Sequence, residues 1–196
     1  IGCGVRAGDS TGASASTVVR FDPLPRLLRG HLPASELRPG LRVLVLCTGN
    51  ICRSPLAAAL LESEVAAAWG TGVRELQELG WTIASAGTFG LPGGPASEHS
   101  CATGAEIGLD LSRHRSRNLE QLSHLRWDLV LGMSRAHLAA LPPDLQSRAE
   151  LFDPSDAEVP DPYGGSLAAY RSVRDQLQRA VGERLRAWSA WPEAEA

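Results

Sequence analysis

The chain has 196 residues, 43% of them hydrophobic, with 19 basic and 22 acidic side chains for a formal net charge of -3. That length fits one catalytic domain with a sizeable core, and the near-balance of charge leaves no general electrostatic footprint for nucleic acid or an anionic membrane. All 19 basic residues are Arg, so any phosphate contact must come from guanidinium, backbone N–H or hydroxyl groups, which excludes a Walker-type lysine.

Residues 1–40 are rich in Gly, Ser, Ala and Pro and show no sustained period. They are expected to form an appended arm, flexible or loosely packed, in which VVRF and RLLRGHL form short local elements at most. From Leu41 apolar strand-like runs alternate with helix-like stretches over 41–196. LRVLVLC precedes a helix over Ser54–Trp69, with Ser54 as cap, Pro55 at the first helical position and Gly70 after the last turn. WTIASAG precedes a helix from about Ser97 to Ile107. WDLVLGM is followed by a short helix around Arg135–Leu141. RAELF then leads through an Asp/Pro loop to a long helix from about Gly165 to Trp188, striped by Leu167, Tyr170, Leu177, Val181, Leu185 and Trp188. The first run is apolar on both faces, as a covered parallel strand requires. Alternating β and α units predict an open, doubly wound α/β sheet with its site outside the carboxyl ends of the strands.

Four cysteines, Cys3, Cys47, Cys52 and Cys101, are too few and too scattered for a disulfide framework, and a reducing cytoplasmic setting is expected. No stretch approaches the ~20 apolar residues needed to span a bilayer, and the N-terminus has no apolar run long enough for a signal-peptide core.

Between the first strand and its helix lies C-T-G-N-I-C-R-S, Cys47 to Ser54. A thiol attacking phosphorus needs a stabilised thiolate, donors for the phosphoryl oxygens and close backbone approach, and this loop can supply all three. N–H groups of a tight loop at a helix N-terminus converge on an anion, favoured there by the helix dipole. Arg53 can hold two phosphoryl oxygens bidentately, Gly49 and Asn50 tolerate the left-handed backbone such a loop requires, and the Ser54 hydroxyl can donate to the Cys47 sulfur. A metal site is disfavoured, because Cys47 and Cys52 lack C-x2-C spacing and Arg53 would repel a cation.

VLVLCTGNICRSPLA resembles the signature of the low-molecular-weight protein tyrosine phosphatases. The likeness continues through SAGT at Ser85–Thr88, GLDLSRHRSRNL at Gly108–Leu119 and VPDPYGGS at Val159–Ser166. It implies a flavodoxin-like sheet of four parallel strands with helices on both faces, and no metal or cofactor. It also implies Cys47 as nucleophile, Arg53 as phosphate clamp and Asp161 as general acid. Thr48, Gly49, Asn50, Ile51, Cys52 and Ser54 complete the phosphate-binding loop, and Ser85 and His114 stiffen it. Asp161 suits the chemistry, since a carboxylic acid can protonate the departing phenoxide and then activate water against the phosphocysteine. Asp153-Pro154 is a similar dipeptide, but Asp161 is preferred because Tyr163 follows and Gly164 and Gly165 open the last helix. Cys52 is either a packing residue or a resolving thiol for oxidised Cys47. Cys101, on one helix face with Ala105, reads as core, and His99, His124 and His137 as surface or helix-face residues.

The implied substrate is a phosphotyrosine-containing protein, with Phe89 and Tyr163 as the pocket wall. The oligomeric state cannot be read from the sequence. Many relatives carry Trp where this chain has Phe89 and Leu91, and a second Tyr where it has Gly164. Two other activities share the scaffold. The protein-arginine phosphatases resemble SAGTFGLPGG and DPYGGS but typically carry Thr at the position of Ile51. Arsenate reductases need further resolving cysteines, and HRSRNLEQLSHLRWD contains none.

Overall fold

The computed structural model describes residues 40–189 and three short strands before them, β1 (Cys3–Val5), β2 (Thr17–Phe21) and β3 (Pro25–Arg29). The chain divides into two compact units, Gly40–Leu185 and a second made of Ile1–Pro39 with Arg186–Ala196. In the second, β1, β2 and β3 form an antiparallel sheet in that order, with a register irregularity between Val18 and Val19. VVRF therefore lies in β2 and RLLR in β3. The remainder of 1–39, the Cys3 side chain and 190–196 lie outside the described residues.

The Gly40–Leu185 unit is built on β4 (Arg42–Cys47), β5 (Thr82–Gly87), β6 (Leu129–Gly132) and β7 (Ala149–Leu151). All pair in parallel in the order β5-β4-β6-β7. Parallel neighbours require crossovers, and α1 (Arg53–Ala68) and a 3-10 turn (Val73–Gln77) lie between β4 and β5. α2 (Glu98–Ala105) and α3 (Glu120–Ser123) lie between β5 and β6. α4 (Arg135–Ala139) and α5 (Pro143–Gln146) precede β7, and α6 (Leu167–Ser189) closes the unit. With β4 central and its sequence neighbour β5 on one side and β6 on the other, the carboxyl end of β4 is the topological switch point.

Both sheet faces are covered. Leu44, Leu46, Ala84, Ala86 and Val130 pack with Leu119, Leu122, Trp127, Leu141 and Leu145, while Val43, Val45, Leu129 and Leu131 alternate to the opposite face and are equally buried. α1 packs against β4, β5 and α2. It ends in a Schellman motif, with Gly70 at φ 63 and Thr71 N–H donating to Ala66 O at 3.0 Å. On α6 the inward positions are Tyr170, Val173, Leu177, Ala180 and Val181. Buried Arg184 ties the helix to the sheet by donating to Phe152 O at 2.7 Å and to Leu151 O.

Three helix-face expectations change. Ser54 does not cap α1, whose N-cap is Cys52 with no side-chain cap bond. Cys101 is half-buried and Ala105 exposed, so their shared face is not core. His137 is buried, at 4% exposure, rather than on the surface.

Candidate active site

At the carboxyl end of β4 the chain leaves the sheet at Cys47 and re-enters helix at Arg53, six residues on. Asn50 takes φ 54, the left-handed region that an Asx side chain tolerates. This bends the loop so that Asn50 N–H donates to Cys47 Sγ at 3.2 Å. Ser54 Oγ lies 3.0 Å from the same sulfur. Ser54 Oγ accepts from Asn50 Nδ2 at 2.9 Å, and its own proton has the sulfur at 3.0 Å and Ala86 O at 3.5 Å as acceptors, the sulfur being the nearer. The N-cap of α1, Cys52, makes no side-chain cap bond, and the first turn holds no acidic residue. The positive end of that helix faces the loop without an acidic side chain of its own first turn to offset it.

Asn50 is the hub, at 0% exposure. Its Nδ2 also donates to Ser85 Oγ at 2.9 Å, and its Oδ1 accepts from Arg117 N–H at 2.8 Å. Its carbonyl lies 2.7 Å from His114 Nε2, which must carry the proton there. Burial holds His114 below the usual histidine value despite that bond. The SAGT segment supplies the opposite wall. Thr88 and Phe89 donate their N–H groups to Cys47 O and Thr48 O, both at 2.9 Å. A Cβ on Gly87 would come within 2.5 Å of Thr48 O, and one on Gly90 within 2.6 Å of Gly49 O, so only glycine admits this approach.

Arg53 is 5% exposed. Its Nη1 donates to Val159 O at 3.1 Å, and its Nη2 to Asp161 Oδ2 at 2.6 Å and Thr48 Oγ1 at 3.3 Å. Among the described residues its buried Nε has no partner. Asp161 thus reaches the loop from the β7–α6 connection, and its Oδ1 accepts from Tyr163 N–H at 3.3 Å. A cavity of about 230 Å³ opens between them, lined by Cys47, Thr48, Gly49, Ile51, Cys52 and Arg53 with Asp161 and Tyr163. Tyr163 is 73% exposed at its rim. Phe89 does not line it: the side chain is 89% exposed, because Gly90 rather than Phe89 packs against the loop. Cys52 Sγ is 3.2 Å from Tyr170 OH, while Cys101 is outside the lining.

Asp153 has a different place. Fully buried, it accepts from Ser155 N and Oγ at 3.1 and 2.7 Å, from Gln176 Nε2 at 2.9 Å and from Arg179 Nη2 at 3.0 Å. Burial alone would raise its pKa, but these hydrogen bonds and the Arg179 charge hold it below the usual carboxylate range. Stability from this carboxylate is therefore present above the unfolded-state value and lost as pH falls through the lower folded-state one. Asp153→Ala is expected to cost roughly 1–3 kcal/mol, since it removes the buried charged acceptor of the hydrogen bonds from Ser155, Gln176 and Arg179. A lowered urea midpoint at unchanged m would show it, with the deficit shrinking below pH 4.

Two partners of the loop are absent from the sequence reading. Arg117 acts through its backbone N–H, which no side-chain pattern reveals. His137 Nε2 lies 3.0 Å from Thr48 Oγ1, and its only sequence signal is a lone histidine after a predicted strand.

The family model described as low molecular weight phosphotyrosine protein phosphatase matches residues 42–190. The protein-arginine-phosphatase of Geobacillus stearothermophilus is 33% identical over 148 residues, covering 71% of this chain and 90% of that one. The low molecular weight protein-tyrosine-phosphatase Etp of Escherichia coli K12 is 34% identical over 146 residues, covering 72% and 90%. Among solved structures, Vibrio vulnificus Wzb in complex with benzylphosphonate is 28% identical, with a TM-score of 0.64 over 76% of this chain and 99% of that one. With the loop, the four-stranded sheet and most of the chain matched, this protein belongs to the low molecular weight phosphotyrosine protein phosphatase family.

Proposed function

We propose that the chain hydrolyses phosphotyrosine in protein substrates through a phosphocysteine on Cys47, with Arg53 as phosphate clamp and Asp161 as general acid and base. One observation carries this reading: a sulfur within hydrogen-bond distance of the Asn50 N–H and the Ser54 hydroxyl, an arginine whose buried Nε has no partner among the described residues and a carboxylate 2.6 Å from that arginine line a single cavity. The Cys47 thiolate attacks phosphorus, the P–O bond to the phenol breaks, and Asp161 gives its proton to the departing oxygen. Asp161 then takes a proton from water, which attacks the phosphocysteine and releases inorganic phosphate and the thiolate. Loop N–H groups and Arg53 hold the equatorial oxygens throughout. Before substrate enters, Arg53 Nη2 is occupied by Asp161. A phosphoryl group that takes over this donor frees the carboxyl to accept the proton it later delivers.

Substrate choice rests on the rim. Ile51 and Tyr163 line the cavity with apolar surface that suits a phenyl ring. Hydrolysis of protein phosphoarginine is the second reading, favoured by the similarity to the Geobacillus enzyme, which equals that to Etp within one per cent identity. Wild type is expected to show the higher kcat/KM on phosphotyrosine peptides. Ile51→Thr should shift the ratio toward phosphoarginine by roughly 10–200-fold, the range for small changes in pocket contact. A wild-type chain already faster on phosphoarginine decides for the second reading. An arsenate reductase is disfavoured, since Cys101 is not among the residues that line the cavity and residues 114–128 hold no thiol.

A further inference from the structure

We infer that His137 is a positioning residue for the phosphate clamp, setting the Arg53 guanidinium through a Ser134–His137–Thr48–Arg53 chain of hydrogen bonds. The inference rests on the reading of Arg53 as the group that binds phosphate.

His137 lies on α4, which follows β6, and both its ring nitrogens meet hydroxyls. Nδ1 is 2.8 Å from Ser134 Oγ and Nε2 is 3.0 Å from Thr48 Oγ1, 89 positions away in the chain. Ser134 is the N-cap of α4 yet makes no capping bond. A serine in that position ordinarily satisfies the helix N–H groups; here its hydroxyl is given to the imidazole instead. Thr48 Oγ1 has one proton and two lone pairs. One lone pair takes Arg53 Nη2–H at 3.3 Å, and the proton goes to His137 Nε2. The imidazole is then neutral with its proton on Nδ1, donated to Ser134. Burial and next the Arg53 charge hold His137 below the usual histidine value, against the opposing pull of Asp161 and Glu158, and a neutral ring is what this pattern needs.

The chain matters because the other acceptor on Arg53 Nη2 is Asp161, which the mechanism requires to let go. When phosphate displaces that carboxylate, Thr48 and Val159 O are the protein acceptors left to hold the guanidinium plane. Val159 O fixes only Nη1. The Thr48 hydroxyl fixes Nη2, and its lone pair is aimed at Arg53 only while His137 takes its proton.

The test compares His137→Asn, His137→Gln, Thr48→Ala and the Thr48→Ala/His137→Asn double variant, using inorganic phosphate binding by calorimetry and steady-state hydrolysis of para-nitrophenyl phosphate. The Asn amide sits where Nδ1 was and cannot reach Thr48, whereas the Gln amide reaches the place of Nε2. His137→Asn is expected to weaken phosphate binding and raise KM by roughly 3- to 10-fold, the range of one hydrogen bond, with kcat less affected. His137→Gln should recover affinity to within about twofold, and the double variant should bind no more weakly than Thr48→Ala alone, because both changes break one link. Phosphate affinity of a folded His137→Asn protein within twofold of wild type overturns the inference, as do equal losses in Asn and Gln or losses that add to that of Thr48→Ala. If His137→Asn does not fold, Thr48→Ala, at an exposed loop position, must show the same loss by itself, and unchanged affinity overturns the inference. Binding is read without turnover. A wild-type chain that binds phosphate but hydrolyses no phosphomonoester therefore overturns the proposed function and leaves the His137 link to its own result.

Discussion

Cys47→Ser is expected to lower kcat by roughly 10⁴- to 10⁶-fold, the scale seen when a catalytic nucleophile is removed, while inorganic phosphate still binds. The hydroxyl that replaces the thiol has no base beside it. Ser54 is already engaged by Asn50, and the carboxylate that lines the same cavity, Asp161, is paired with Arg53. The oxygen therefore stays protonated at neutral pH and is a poor nucleophile. The anion site does not depend on the sulfur, since it is made by loop N–H groups, the uncapped end of α1 and Arg53. Phosphate affinity near wild type with turnover lost is the expected pair of results. Residual kcat within tenfold of wild type would remove Cys47 from the role of nucleophile.

Asp161→Asn should separate substrates by leaving group. A general acid contributes roughly 10²- to 10⁴-fold where the departing oxygen needs a proton, so losses of that size are expected on phosphotyrosine and simple phenyl phosphate. On para-nitrophenyl phosphate, whose leaving group departs as a stable anion, the loss of phosphocysteine formation should be far smaller. A burst of nitrophenol followed by slow turnover is then expected, because the second step still lacks its base. The same variant should bind inorganic phosphate more tightly. Removing the carboxylate charge frees Arg53 from a competing anion, and because Asp161 is 45% exposed the gain is limited to about fivefold, the upper range of a solvated ion pair. Equal losses across leaving groups would assign the proton transfer elsewhere. Asp153 is a poor substitute, since both its oxygens are committed within the fold.

Much of the architecture was legible because local pattern and burial agree. The doubly apolar run Arg42–Cys47 is a central parallel strand with neighbours on both sides, and the strands at 82–87, 129–132 and 149–151 fall within the predicted runs. The short helices Glu120–Ser123 and Pro143–Gln146 and the 3-10 turn at Val73–Gln77 carry too few turns for a 3.6-residue period to show. In the N-terminal segment VVRF and RLLR were legible only as short local elements and β1 not at all, since three to five residues set among Gly, Ser and Pro give no alternation long enough to read as strand.

The loop from Cys47 to Ser54 is the part that the sequence by itself determined. Cysteine, glycine, asparagine, arginine and serine within eight consecutive positions, between a strand and a helix, constrain one another through backbone geometry alone, and the N–H and hydroxyl bonds to Cys47 Sγ span only three and seven residues. What lies across the cavity was decided by tertiary structure. Phe89 and Tyr163 look equivalent as aromatic neighbours of a motif, yet the close approach of Gly90 to Gly49 leaves Phe89 in solvent while Tyr163 follows Asp161 to the rim. Likewise Asp153 and Asp161 share the same dipeptide, and only the packing of α6 directs Gln176 and Arg179 onto the first while the second meets Arg53. His137 meets Thr48 because β4 and β6 are hydrogen-bonded neighbours whose carboxyl ends open side by side. That adjacency is a product of strand order, a long-range property that no local spacing in the chain encodes.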